Sequence, residues 1–98
     1  MIVNYNFEWD PKKEKDNRDK HDVAFDEAAS VFRDSKALSV FDPDHNATED
    51  RWVTMGIFEK GRLLMVIHTF REENENDITI RIISSRKSTK QETKNYGE

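Results

Sequence analysis

Arginine, lysine, histidine and glutamate are the side chains in this sequence with the chemistry to act on a phosphate ester, and they fall at definite places. Arg86 closes the run ITIRIISSR. An arginine fork pairs two phosphate oxygens and stays charged, so a cation on a strand end suits a phosphate clamp. The competing assignment is a rim arginine paired with a carboxylate, either Glu92 or Glu49. In an unbroken strand Arg86 shares the side of Ile80, Ile82 and Ser84, and Arg81 takes the other. Arg71 ends the run LLMVIHTFR. Antiparallel pairing sets it near the start of the last strand, away from Arg86, as a backbone contact or a solvated strand-end cation. Lys20 and His21 follow the first charged segment. Imidazole is the side chain suited to proton transfer near neutral pH, and His21 is the best placed of three histidines for it, with helix capping as the alternative. Glu49 and Arg51 flank Asp50 and point the same way, as a base and a phosphate contact or as an ordinary exposed pair. Trp9, with Lys13 one turn into the next helix, offers a stacking platform beside a cation, or else packs in the core with Tyr5 and Phe7. His68 lies in an apolar run and reads as a packing residue, and His45 reads as solvated. Three histidines so scattered predict no metal site.

Positioning these groups requires a sheet. YNFEWD alternates aromatic and polar residues as a half-buried strand does. Asp10 and Pro11 are an N-cap and a first helical residue. The charged helix that follows has almost no apolar stripe. In VAFDEAASVF, Phe25, Ala28, Ala29 and Phe32 fall on one helix face. ALSVFD, RWVTMGIF, LLMVIHTFR and ITIRIISS read as strands, with EKGR and EENEND as turns. Ser88 and Gln91 have capping-box spacing for a terminal helix, on which Tyr96 lies one turn from Glu92. The expected fold is α+β, a small mostly antiparallel sheet with helices packed on one face, in the order β-α-α-β-β-β-α.

The 98 residues suit one domain spanning 1–98. Charged residues make up 37 % and hydrophobic residues 35 %, so the core is thin and a partner surface is expected. Without cysteine there are no disulfides or thiolate metal sites. No apolar run approaches a membrane span and no apolar leader opens the chain, so a soluble cytoplasmic protein is expected. The first fifty residues hold 7 basic and 13 acidic side chains, a net charge of −6. The remainder holds 9 and 7, a net charge of +2. Polyanion binding follows local clustering rather than the total of −4.

Taken in order, FEWDPKK, NRDKHDVAFDEAASVF, EDRWVTMG and IRIISSRKSTKQETKNY resemble the BrnT toxins of bacterial type II toxin–antitoxin pairs, which are similar in fold to the RelE ribonuclease toxins. The chain departs from the family pattern at Asp22, where Gly is common, at Ala24, where a hydroxyl cap is common, and at Ser88, where Ala is common. The resemblance implies an endoribonuclease toxin held in check by a BrnA-type ribbon-helix-helix antitoxin, in a hetero-oligomer that reaches operator DNA through the antitoxin. Hydrolysis of RNA needs no metal or other cofactor. The ribose 2′-OH attacks the adjacent phosphate, a base takes its proton, an acid protonates the leaving 5′-oxygen, and cations hold the phosphorane charge. On this basis Arg86 and Arg51 stabilise charge, His21 and Glu49 exchange protons, and Lys20, Lys13, Arg71 and Trp9 hold the RNA. The alternative is a non-catalytic interaction protein that binds a DNA-binding partner and tunes its operator binding.

Overall fold

A computed structural model describes residues 3–42, 50–58 and 61–96. Strand β1 (Asn4–Glu8) leads to helix α1 (Pro11–His21) and helix α2 (Phe25–Ser30), which tightens into a 3-10 turn at Val31–Arg33. Strands β2 (Leu38–Asp42), β3 (Arg51–Ile57), β4 (Leu63–Glu72) and β5 (Asp77–Lys87) follow, then helix α3 (Lys90–Tyr96). The order is β-α-α-β-β-β-β-α. The expected order was one strand short, because each of the four apolar runs after α2 forms a strand of its own.

The strands form one sheet, β1-β5-β4-β3-β2. Neighbours are antiparallel except β1, which runs parallel to β5 with Asn4 opposite Asp77 and Glu8 opposite Arg81. Alternation along the strands sends Phe7, Leu64, Val66, Ile80 and Ile82 to an inner face. There they meet Val23, Phe25, Ala28 and Val31 in one apolar cluster. Each fully buried Val, Leu, Ile or Phe side chain of the cluster contributes about 1.5–3 kcal/mol. Phe32 extends the cluster by packing on Phe7 and on His68.

The β4–β5 register slips once. Ser84 faces Ile67 and Ile82 faces His68, so Ile83 is an extra residue in β5. Such a bulge resets which residues point inward. Ile80 and Ile82 are buried before it, and Ser85 after it. Arg86 therefore does not share the side of Ile80 and Ile82, as an unbroken strand would require. It lies opposite Met65 on the outer face, the face that Arg81 also takes opposite Thr69.

Local chemistry explains the helix ends. Asp10 accepts a hydrogen bond from the Lys12 amide at 2.9 Å, with Pro11 at the first helical position. Asp22 ends α1 in the left-handed region, φ 58°, and donates its amide to the Arg18 carbonyl at 3.0 Å. Aspartate enters this region more readily than most residues, so the bend forms without glycine. Ala24 supplies no side-chain cap for α2. Instead Glu27 accepts from its amide at 3.0 Å, and Glu14 of α1 accepts from the Phe25 amide at 3.1 Å. The α3 cap lies one position beyond the expected Ser88/Gln91 pair. Glu92 accepts from the Thr89 amide at 2.8 Å and Thr89 Oγ1 accepts from the Glu92 amide at 3.2 Å. Helix α3 has no buried residue and is tied to Arg86 through Glu92 and to Asp34 through Tyr96.

Candidate functional site

Strand β1 accompanies β5 only as far as Arg81, and α1 lies along the edge beyond. Asn17 makes that contact. It is 6 % exposed, in a helix with no other buried residue. Its Oδ1 accepts from the Ser85 amide at 3.1 Å and from Ser84 Oγ at 3.3 Å. Its Nδ2 donates to the Ser85 carbonyl at 2.9 Å and the Val23 carbonyl at 3.0 Å. Lys13, Asp16, Lys20 and His21 then meet Ile83 and Ser84 around a hollow of about 210 Å³. A second hollow of about 430 Å³ is lined by Lys13, Asp50, Thr69, Phe70, Arg71, Arg81 and Ile83. Lys13 and Ile83 belong to both, so the two make one cleft between α1 and the outer face of β4 and β5.

Several of its cations carry partners. Arg71 bonds Glu73 through Nε at 2.6 Å and Glu8 through Nη2 at 3.0 Å, and Arg81 reaches Glu8 at 3.4 Å. Arg71 stands opposite Thr79, near the start of β5, as antiparallel pairing required. Arg51 pairs in register with Asp42 and sits one step beyond the Trp52–His68 pair. It therefore continues the row of Thr69 and Arg81 across the outer face. Arg86 stands two residues beyond Ser84 and opposite Met65, four β4 positions from that row, or about 13 Å. Both of its terminal nitrogens bond Glu92, each at 2.8 Å. The Arg86 fork, together with the Thr89 amide and hydroxyl, pulls the Glu92 carboxyl down to about 2. The structure thus brings Lys13, Lys20 and His21 together, links them through Lys13 to Arg71, and places Arg86 outside both hollows, two residues beyond Ser84. Glu49 and His45 lie outside the described residues. Trp9 stands apart, with its ring edge-on to Phe25 at 6.0 Å against the core. Among the described residues no three His, Asp or Glu converge as metal ligands do.

The sequence model of the ribonuclease toxin BrnT, of type II toxin–antitoxin systems, matches residues 9–92. The chain belongs to the BrnT family. A 1.1 Å crystal structure of the Brucella abortus ribonuclease toxin BrnT superposes with a TM-score of 0.59 at 20 % identity. That match covers 89 % of this chain and all of the Brucella chain. No curated protein matches. BrnT membership makes the chain a ribonuclease toxin with an RNA target and an antitoxin partner. No helix among the described residues is long and apolar enough to cross a membrane.

In this BrnT chain, sequence reasoning missed the contact that Asn17 makes with Ser84 and Ser85. The signal for Asn17 was present. It is the only uncharged residue between Lys12 and Lys20, a break in a solvated run that marks a contact. Tyr96 lies outside the cleft, where its hydroxyl donates to Asp34 Oδ2, which also accepts from the Ile57 amide at 2.8 Å. These bonds lower the Asp34 pKa, and the carboxylate raises that of Tyr96 to about 12.

Proposed function

We propose that this chain is an endoribonuclease that cleaves RNA by attack of the ribose 2′-OH without a metal, on a RelE-like scaffold, and that a BrnA-type ribbon-helix-helix antitoxin neutralises it in the cytoplasm. One observation carries the proposal. The basic side of α1, with Lys13, Lys20 and His21, is set against the outer face of β5, in a cleft that continues to Arg81 and Arg71. A polyanion threaded there meets cations along its length, while acidic residues dominate the first half of the chain.

Lys13, Lys20 and Arg71 hold the backbone, and Arg51 supports it from the neighbouring strand. His21 exchanges protons at the reacting ribose, with Glu49 as the opposite carrier. Arg86 holds the charge of the phosphorane. Its fork is already shaped by a carboxylate, whose two oxygens have the spacing that a phosphate also presents. Phosphate therefore binds Arg86 by exchange with Glu92.

The test is digestion of RNA by purified protein in excess EDTA, with analysis of the ends. Cleavage that persists and leaves 2′,3′-cyclic phosphates is the expected result. Activity lost in EDTA and restored by a divalent ion, but not by monovalent salt, rules the chemistry out.

A further inference from the structure

Asn17 does what a strand residue would do. Among the described residues β5 has no strand neighbour on the β1 side past Arg81, so its backbone amide and carbonyl there need another hydrogen-bond partner. The Asn17 amide satisfies both groups of Ser85, accepting at 3.1 Å and donating at 2.9 Å, as an adjoining strand would. Its remaining valences go to Ser84 Oγ and the Val23 carbonyl. Four bonds to one nearly buried side chain fix the rotation and the height of α1 against β5 together. Lys13 and Lys20 lie one turn either side of Asn17 on that helix. The contact made at Asn17 therefore sets where both ammonium groups stand relative to Ser84.

Resting on the cleft proposed above, we infer that Asn17 is a positioning residue for RNA cleavage: its amide substitutes for a missing strand and holds Lys13, Lys20 and His21 in register with β5. Replacement by aspartate keeps the size and the accepting oxygen but removes Nδ2. The new carboxylate faces the Ser85 and Val23 carbonyls at about the distance of the lost bonds. A proton on it restores one donated bond. The charged groups around it are Lys13, Asp16, Lys20 and His21 from α1, with Asp22 and its partner Lys87 at the following bend. All of these are also present in the wild type, so the variant-to-wild-type ratio reads what the new carboxylate adds, directly and through them.

The experiment measures kcat/KM for RNA cleavage by wild type, Asn17→Asp and Lys13→Ala/Lys20→Ala between pH 5.5 and 8, with the folded fraction checked by near-UV circular dichroism. Asn17→Asp is expected to fall about 100-fold at pH 8 while folded, the cost of misplacing groups by about 1 Å. Its ratio to wild type should rise steadily as pH falls. A ratio near one at every pH, with the lysine variant defective, refutes the positioning role and leaves the cleft standing. A loss that follows the unfolded fraction, or one in folded protein that does not recover at low pH, also refutes it. If the lysine variant binds and cleaves RNA like wild type, the cleft is misassigned and the inference fails with it. Amide exchange in the wild type is the check that needs no variant. The Ser85 amide should exchange as slowly as that of Ile82, and fast exchange contradicts the bond from Asn17.

Discussion

Acidification should destabilise this protein through His68 before it touches the carboxylates. His68 is fully buried, edge-on to Phe32 at 4.8 Å and to Phe70 at 4.7 Å. Its Nδ1–H donates to the Thr69 carbonyl at 3.3 Å, which leaves Nε2 to accept from the Thr54 hydroxyl at 2.6 Å. Ser39 Oγ completes the chain, 2.7 Å from Thr54 Oγ1. Burial disfavours the imidazolium and lowers the pKa from 6.5 to about 4. The unfolded chain thus binds the proton more tightly, so stability is complete above pH 6.5 and is lost as pH falls towards 4. The full shift is worth about 3 kcal/mol, of which about 2 kcal/mol is gone at pH 5. That is a large share of the roughly 5–15 kcal/mol typical of a domain. Urea unfolding at pH 7.5 and pH 5.0, for wild type and His68→Gln, isolates the contribution. The lowered carboxylates Asp34, Glu73 and Glu92 act at lower pH and cancel in the comparison. Wild type should lose about 2 kcal/mol more than the variant between these pH values. Equal losses, or an NMR titration placing His68 near 6.5, would refute the reasoning.

Arg86→Ala should keep the fold but cut RNA cleavage about 100-fold or more, and Arg86→Lys should also be impaired for lack of a fork; wild-type rates from the folded Ala variant would remove Arg86 from the chemistry. Glu92→Gln retains a capping-box side chain but frees the Arg86 fork of its anion, so RNA should bind about fivefold tighter, matching about 1 kcal/mol for a half-exposed pair; weaker binding would mean that Glu92 orients Arg86 instead of competing for it. Gly56→Ala should lower stability by about 1–3 kcal/mol in urea titration, because a Cβ there would stand 2.8 Å from Val31 Cγ1 and 3.2 Å from Asp34 Oδ2; an unchanged midpoint would show that the turn at Val31–Arg33 yields freely.

Much of the fold was legible because it rests on local signals. Alternation gave the strands, Asp10-Pro11 gave the start of α1, and the spacing of Phe25, Ala28 and Phe32 gave the buried side of α2. The cations of the cleft were legible as residues but not as an arrangement. Lys13, Lys20 and His21 meet Ile83 and Ser84 only through an edge contact 68 residues apart in the chain, which no local pattern encodes. The face of Arg86 was misread for a similar reason, since a bulge depends on how two strands settle against each other and not on either sequence alone. The Arg86–Glu92 pair was visible as one of two carboxylate partners for a strand-end arginine, and the fold selects Glu92 by bringing α3 back over the end of β5.

Ile83 adds one further consequence. Arg81 and Arg86 are separated by an odd interval, which in an uninterrupted strand points them to opposite sides of the protein. They share a side because one residue between them goes uncounted by β4. What this stretch transmits is therefore a tally as much as a set of side chains. Exchange of Ile83 for another residue of similar shape leaves the tally intact. Loss of any single residue between Arg81 and Arg86 keeps every charge in the chain yet divides the cations between two surfaces. Related chains should accordingly vary more freely in letters than in length through this short interval.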